Sequence, residues 1–286
     1  MELIEPQVEL LSELDITPES HIARCARVCY GREHKEPNQE ADKKMVDGLI
    51  KRGHLSMLRH ASMYFTNIND LPERMKYLIY TSQYYNYYNN YTSTNLQAFR
   101  ALKNTIIFDK EDKDKILSLN PKVFLEECKI QPKLFSLYRL TFCITTQIST
   151  SRELNRVSPN NIAERSTRFC SAKGGLAICR PWWITSPIDD IAVNALSYYK
   201  IACEAEKTYM TLLLRGMKPE DARGVLPLDT ATKVIYTYSV QEWQHILDLR
   251  LYDKTGKAHP NCHVVMQMVK DQINSFANEH NIDYRV

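Results

Sequence analysis

The feature that most constrains the fold is a run of alternating side chains at residues 138–145, which leads directly into a dense polar segment. The two alternating sets are Tyr138, Leu140, Phe142 and Ile144 on one side, and Arg139, Thr141, Cys143 and Thr145 on the other. A period of two predicts a half-buried β-strand. Any fold of this chain must therefore place the polar segment at the end of a core strand.

The polar segment that follows, residues 151–169, is called the signature segment and has the sequence S-R-E-L-N-R-V-S-P-N-N-I-A-E-R-S-T-R-F. It contains four arginines, two glutamates, three serines and one threonine. Arginine pairs through two prongs with a phosphate or with the edge of a pyrimidine. The composition therefore predicts a site for an anionic ligand that forms hydrogen bonds.

The spacing within the signature segment is compatible with two arrangements. Glu164, Ser166 and Arg168 alternate, so an extended backbone would direct all three toward one ligand. Arg152 and Arg156 lie one helical turn apart and would repel each other unless an anion or a carboxylate lies between them. Internal salt bridges, for instance of Arg152 with Glu153 or of Arg156 with Glu164, are the alternative. The residues alone leave both arrangements open.

The rest of the chain predicts one α+β domain that spans residues 1–286, with an irregular, charged elaboration at 103–134. Helices are expected at 17–30, around Met45 to Leu49, at 72–102, at 189–216, from Pro219, at 240–251 and at 260–279. Further strands are expected at 61–68 and 234–238. The cluster of tyrosines from Tyr84 to Tyr91 is interpreted as a half-buried helix or a subunit contact rather than a surface for base stacking.

Composition excludes several classes of function. A net charge of +3 is too small for a general nucleic-acid partner, and no apolar run is long enough to cross a membrane. The acidic start, Met1 to Glu5, does not resemble a secretory signal, so we expect a cytoplasmic protein. The only adjacent glycines are Gly174 and Gly175, which excludes a Walker loop and a dinucleotide fingerprint. The eight cysteines include no C-x-x-C pair, so free thiols are expected and zinc is not.

The C-terminal part adds two polar residues whose roles the residues leave open. Arg250 falls beside an apolar helical stripe that includes Trp243 and Leu247, so it either extends toward water or is paired. His259 precedes Pro260 at the start of the last helix, where it either caps the helix or contacts a ligand.

Six blocks together resemble the flavin-dependent thymidylate synthase family, and they occur in the family's order along nearly the whole chain. They are A-R-V-C-Y (26–30), G-H-L-S-M-L-R-H-A (53–61), S-R-E-L-N-R (151–156), E-R-S-T-R-F-C (164–170), D-A-R-G-V-L-P (221–227) and E-W-Q-H-I-L-D-L-R (242–250). The resemblance implies a central antiparallel sheet with flanking helices. It also implies synthesis of dTMP from dUMP with methylenetetrahydrofolate as carbon donor, FAD as hydride carrier and NADPH as reductant, in a homotetramer whose active sites are shared.

The resemblance also assigns roles to residues of this chain. Arg250 is implied to be catalytic, since a cation beside uracil N3 stabilises the ionised ring and makes C5 nucleophilic. The implied dUMP ligands are Glu153, Arg156, Glu164, Ser166, Arg168 and Arg223. The implied flavin contacts are Ser56, Arg156, Glu164, Ser239, Gln241, His245 and His259. No metal ligand is implied.

The residues that are implied to contact flavin depart from the family pattern, whereas those that are implied to bind dUMP are nearly unchanged. Arg156-Val157-Ser158 stands where the family has Arg-His-Arg, and Ser239 and Gln241 replace the usual asparagine and arginine. Two interpretations stay open: an active flavin enzyme with altered contacts, or a diverged nucleotide-binding relative without flavin. The relative would perform other chemistry at C5, such as hydroxymethylation, or act as a non-catalytic partner.

Overall fold

The computed structural model describes residues 1–32, 35–105, 117–157, 161–168, 175–185 and 193–286. Ten strands are described: β1 (Glu2–Ile4), β2 (Gln7–Leu10), β3 (Ser62–Thr66), β4 (Asn86–Tyr88), β5 (Tyr91–Asn95), β6 (Leu117–Leu119), β7 (Arg139–Gln147), β8 (Ile162–Glu164), β9 (Ala177–Cys179) and β10 (Ala231–Ser239). The α-helices described are α1 (Pro18–Val28), α2 (Gln39–Lys51), α3 (Glu73–Thr81), α4 (Leu96–Thr105), α5 (Pro121–Ile130), α6 (Ile148–Leu154), α7 (Val193–Leu214), α8 (Pro219–Ala222), α9 (Val240–Arg250) and α10 (Pro260–Glu279).

The central sheet has four antiparallel strands in the order β2-β7-β10-β8. Strands β7 and β10 pair over their full lengths, from Arg139 opposite Ser239 to Gln147 opposite Ala231. Helices α9 and α10 pack against one face through a core that includes Phe142 and Trp243. The predicted α+β class with a central antiparallel sheet and flanking helices is confirmed.

Strand β7 is present as predicted, but it is buried on both faces, so the prediction of a half-buried strand was wrong. Its polar side faces helix α1 instead of water, and the imidazole Nε2 of His21 lies 3.1 Å from the hydroxyl of Thr141. That hydroxyl lies 2.8 Å from Thr237, which in turn is 2.8 Å from Nδ1 of His60. A buried polar network thus replaces solvent, and burial lowers the pKa of His60 to about 3.

The expected helix at 72–102 is interrupted by a hairpin, which is the main correction to the predicted elements. Helices α3 and α4 occupy the two ends, and β4 and β5 pair between them in a second sheet of order β4-β5-β3-β6. The turn lies at Asn89, whose φ of 52° an asparagine tolerates better than most residues. Three tyrosines of the cluster, Tyr87, Tyr88 and Tyr91, therefore lie on strands, where aromatic residues are favoured, and Tyr84 and Tyr85 precede β4.

The segment 103–134 is only partly as predicted. Residues 106–116 lie outside the described residues, but α5 follows with Asn120 as its N-cap and with Phe124 and Cys128 buried. This part was expected to be irregular, which was wrong, because α5 contributes directly to the core. Helix α7 occupies much of the predicted 189–216, of which 189–192 lie outside the described residues, and Gly216 adopts a φ of 87° after it.

Helices at the start and end of the chain agree with the sequence. Helix α1 begins after the N-cap Thr17, and α10 runs over the predicted 260–279. Among the described residues, no helix combines the length and apolar character needed to cross a membrane, and no group of histidines, cysteines or carboxylates is arranged to hold a metal ion. Cys170 lies outside the described residues.

Candidate functional site

A cleft of about 630 Å³ opens where the signature segment leaves the central sheet. Its walls are the start of α6, the end of β8 with residues 165–168, the turn at 223–228 and the first residues of β10. Four of the predicted dUMP ligands line it: Glu164, Ser166, Arg168 and Arg223. We call it the arginine cleft, because Arg152 and Arg165 line it as well.

Glu220 orients two of these arginines. Its carboxylate oxygen Oε2 accepts hydrogen bonds from Nε and Nη2 of Arg168 at 3.2 and 3.0 Å. Its main-chain carbonyl accepts from Nε of Arg223 at 3.1 Å, and Nη1 of Arg223 donates to the hydroxyl of Thr167 at 2.8 Å. The two guanidinium groups are therefore held by one residue. Nothing in the sequence spacing indicated Glu220 or Thr167.

Glu164 is held by neutral donors rather than by an arginine. At the end of β8 its Oε1 accepts from Ser151 at 2.7 Å and from Thr232 at 3.2 Å, and its Oε2 accepts from Asn155 at 3.2 Å. The alternative of an Arg156–Glu164 salt bridge is therefore not what the structure shows.

The arginine cleft carries an excess of positive charge. Among the described residues, no carboxylate forms an ion pair with Arg152 or with Arg165, and both side chains are exposed. Arg168 forms an ion pair with Glu220, and this pair is partly exposed. Since uncompensated guanidinium groups converge on one cavity, the cleft suits an anionic ligand.

Two other predicted residues lie in a neighbouring recess of about 290 Å³, which we call the tryptophan recess. Glu153 and His259 line it together with Trp183, and Leu228 lines both this recess and the arginine cleft. His259 caps α10, because its Nδ1 accepts from the main-chain N–H of Asn261 at 3.2 Å. The capping role is therefore present, and a ligand contact stays a prediction.

Arg250 lies beside the tryptophan recess and not in the arginine cleft. Its Nε donates to the main-chain carbonyl of Glu153 at 3.3 Å, and its side chain is partly buried at the end of α9. Arg250 is therefore paired with a main-chain carbonyl, which is one of the two arrangements that the sequence left open. Arg156 is exposed just after α6 and lines neither the arginine cleft nor the tryptophan recess.

The predicted flavin residues are only partly brought together. Gln241 and His245 line a third recess of about 330 Å³, the α9 recess, with Val157 and Tyr238. Ser239 does not line it: it is buried and forms the capping box of α9 with Glu242. Ser56 is exposed on the short helix Leu55–His60, and Ser158 lies outside the described residues.

The α9 recess fits part of FAD at most. Gln241 and His245 can form hydrogen bonds to a ring system, but no arginine or lysine is among its described lining residues. Val157, at a position where the family has a basic residue, is buried in the main core. A diphosphate needs cationic partners, so the described residues of this recess do not fit that part of the cofactor.

Comparison with known proteins gives two kinds of match. A family model described as thymidylate synthase complementing protein matches residues 9–72 and 125–277. A probable flavin-dependent thymidylate synthase from Paramecium bursaria Chlorella virus 1 is 31% identical over 75 residues. Those residues are 26% of this chain and only 35% of that protein.

Two crystal structures of the UMP/dUMP methylase PolB from Streptomyces cacaoi also resemble the chain. The structure bound with 5-Br dUMP has a TM-score of 0.45 and 16% identity, over 97% of this chain and 93% of that one. The structure bound with 5-Br UMP has a TM-score of 0.46 and 15% identity, over 99% of this chain and 95% of that one.

Proposed function

The chain belongs to the thymidylate synthase complementing protein family, whose model matches well over half of it, and we propose that it binds dUMP and transfers a one-carbon unit to uracil C5. The observation that supports this most directly is the arginine cleft, where Arg168 and Arg223 are oriented together by Glu220. The volume of about 630 Å³ suits a nucleotide.

The arginines would bind the phosphate of dUMP in this proposal. Guanidinium groups form charge-assisted hydrogen bonds to phosphate, and Ser166 adds a hydroxyl on the same wall. Glu164, kept in place by Ser151, Asn155 and Thr232, supplies a fixed acceptor for a hydroxyl or N–H of the nucleoside. The resemblance to the family implies that C5 is activated through the charge on the ring rather than by attack of a cysteine.

Arg250 is the residue we assign to that activation. A guanidinium beside N3 favours the ionised uracil and so raises electron density at C5. Because Arg250 lies outside the arginine cleft of its own chain, we propose that a second copy supplies it, in a homotetramer with shared active sites. The cleft of one copy would then hold the phosphate, and Arg250 of its partner would face the base.

The carbon donor in this proposal is methylenetetrahydrofolate. The methylene group is bonded to two folate nitrogens: one CH2–N bond breaks as an iminium ion forms, and C5 then bonds to the carbon. Loss of the C5 proton accompanies cleavage of the second CH2–N bond, which releases tetrahydrofolate, and a hydride then completes the methyl group of dTMP. The resemblance implies that FAD, reduced by NADPH, provides the hydride. The described residues of the α9 recess, however, do not fit the FAD diphosphate.

The poor fit of the α9 recess to the FAD diphosphate favours a second candidate function. If water adds to the C5 methylene group in place of hydride, the product is 5-hydroxymethyl-dUMP and no reductant is needed. A non-catalytic role as a partner in a mixed oligomer would leave dUMP binding intact without any product.

Mass spectrometry of the products separates these candidates. The purified protein is incubated with dUMP and methylenetetrahydrofolate, with and without FAD and NADPH. dTMP that forms only with both cofactors supports the flavin enzyme, and 5-hydroxymethyl-dUMP without them supports the second candidate. Absence of dUMP binding by calorimetry would contradict the whole proposal.

Mixed oligomers test whether the site is shared. At a dUMP concentration well below the Kd of the Arg168→Ala variant, Arg168→Ala and Arg250→Ala should each have little activity alone. Co-expressed as tagged copies, they should recover about a quarter of the wild-type activity if two copies mix at random and each site draws one arginine from each copy. A site built within one chain would recover none.

A further inference from the structure

We propose that Asn155 and Tyr236 are positioning residues, which hold the carboxylate of Glu164 in the orientation in which it accepts a hydrogen bond from the nucleoside. This inference rests on the proposed function and extends it to two side chains that do not line the arginine cleft. Both act through Glu164, which does line the cleft.

The register of the central sheet brings these residues together. Glu164 on β8 is paired with Val234 on β10. Side chains two residues to either side of Val234 therefore project from the same face of the sheet as Glu164. They are Thr232 and Tyr236. Asn155 reaches the same face from the C-terminal end of α6.

The chemistry of the groups decides which one donates in each bond. A carboxylate accepts hydrogen bonds, so the amide of Asn155 turns its NH2 group toward Glu164, where Nδ2 lies 3.2 Å from Oε2. The amide oxygen then faces Tyr236, whose hydroxyl donates to it at 2.7 Å. With the opposite orientation of the amide, its oxygen would meet a carboxylate oxygen. The tyrosine hydroxyl therefore favours the amide orientation that Glu164 needs.

Tyr236 is a fixed anchor for this chain of hydrogen bonds. Its side chain is buried in the main core, stacked on Tyr238 and edge-on to Trp243. Burial raises the pKa of Tyr236 well above its usual value, and the charge of Glu164 raises it further, so the hydroxyl keeps its proton. The carbonyl of Ser151 lies 3.5 Å from this hydroxyl, a longer contact than the bond to Asn155.

The two oxygens of Glu164 are held differently. Oε1 accepts from Ser151 at 2.7 Å and from Thr232 at 3.2 Å. At Oε2, the donor found among the described residues is Asn155. Without that donor the carboxylate could rotate about its bonds to Oε1. Asn155 therefore restrains this rotation, and Tyr236 restrains Asn155.

Calorimetry on the full-length protein tests the inference. Tyr236→Phe and Asn155→Ala should each raise the Kd for dUMP about 3- to 10-fold, the range expected for one neutral hydrogen bond. The Kd for deoxyuridine should rise by the same factor, because Glu164 is assigned to the nucleoside. The Kd for inorganic phosphate, measured by competition with dUMP, should not change.

Double variants separate positioning from a general loss of structure. In a Glu164→Gln background, Tyr236→Phe should have no further effect on the Kd for dUMP, since its partner carboxylate is gone. The combination of Asn155→Ala and Tyr236→Phe should bind dUMP no more weakly than Asn155→Ala alone. Independent structural effects would instead multiply in Kd.

The matched control is Tyr91→Phe. Tyr91 lies on β5 in the second sheet, and its hydroxyl also donates to a carboxylate, Oε2 of Glu127, at 3.0 Å. Its loss should leave the Kd for dUMP unchanged.

Three results would overturn the inference while leaving the proposed function in place: an unchanged Kd for dUMP in both single variants, an equal effect of Tyr236→Phe with and without Glu164, or weaker binding of inorganic phosphate. The last would show that the cleft itself is distorted. A wild type that does not bind dUMP would instead contradict the proposed function.

Discussion

Arg168→Ala is the substitution that most directly tests how the arginine cleft binds its ligand. The guanidinium of Arg168 is oriented by Glu220 through two bonds of 3.0 and 3.2 Å. Its side chain is 56% exposed, and an exposed ion pair contributes about 0.2–1 kcal/mol to stability. The variant should therefore fold normally, with a free energy of unfolding within about 1 kcal/mol of the wild type.

The effect on affinity should be much larger than the effect on stability. A hydrogen bond to a charged group contributes about 1.5–3 kcal/mol, and 1.4 kcal/mol corresponds to about a tenfold change in Kd. We therefore expect Arg168→Ala to raise the Kd for dUMP by about 10- to 150-fold. Arg285→Ala removes an exposed arginine outside the cleft and should leave the Kd unchanged.

The assay compares dUMP with deoxyuridine by isothermal titration calorimetry. If Arg168 binds the phosphate, the variant loses affinity for dUMP and keeps the weaker affinity for deoxyuridine. The loss should also shrink at 1 M salt, because the Debye length falls from about 10 Å at 0.1 M to about 3 Å. Equal losses for dUMP and deoxyuridine would refute the assignment of Arg168 to the phosphate.

Three further predictions concern stability. Ser239→Ala removes the N-cap of α9 and should lower the free energy of unfolding by about 1 kcal/mol in urea titrations; no change would show that Glu242 alone satisfies the helix start. Trp243→Ala should cost about 3–5 kcal/mol, since the side chain is 1% exposed, and a loss below 1 kcal/mol would contradict its place in the core. Unfolded His60 protonates near its usual pKa of 6.5, whereas burial lowers the pKa of the folded form to about 3. Stability should therefore fall as pH drops below 6.5, and His60→Asn should lessen that fall between pH 7 and 5; an identical pH dependence would exclude His60.

The local pattern predicts individual elements well where one signal dominates. Thr17-Pro18 before α1 and the helical spacing of α10 give the correct elements. It fails where tertiary context decides the outcome. The polar side of β7 has the alternation of a half-exposed strand, but α1 covers it with His21, and no local pattern reveals which element will cover a strand.

The hairpin between α3 and α4 has a different explanation. Tyrosine is common in strands, and Asn89 tolerates a positive φ, so the sequence did contain a turn signal. The residues on both sides of this turn have a helical pattern, so the pattern alone predicts one continuous helix. The charged residues that precede α5 obscure its apolar pattern, although Phe124 and Cys128 of this helix are buried in the core.

For the site, the sequence predicts four residues that line the arginine cleft but not the residues that orient them. Glu164, Ser166, Arg168 and Arg223 do meet in one cleft. Glu220 could not be predicted, because its role depends on α8 lying opposite residues 165–168, a contact distant in sequence.

The separation of Arg250 from the arginine cleft is the main support for the proposal that two copies of this chain share a site. A cluster of guanidinium groups suffices to capture a phosphate, but it does not activate C5, and the residue suited to that task lies beside a different recess. Both recesses adjoin Leu228, which is 57% exposed despite being apolar. In a two-fold pairing, the same surface of each copy meets its counterpart, so the cleft of one can face the Arg250 side of the other. The exposed apolar residue between the recesses would then be buried at the point where the two halves of the site meet.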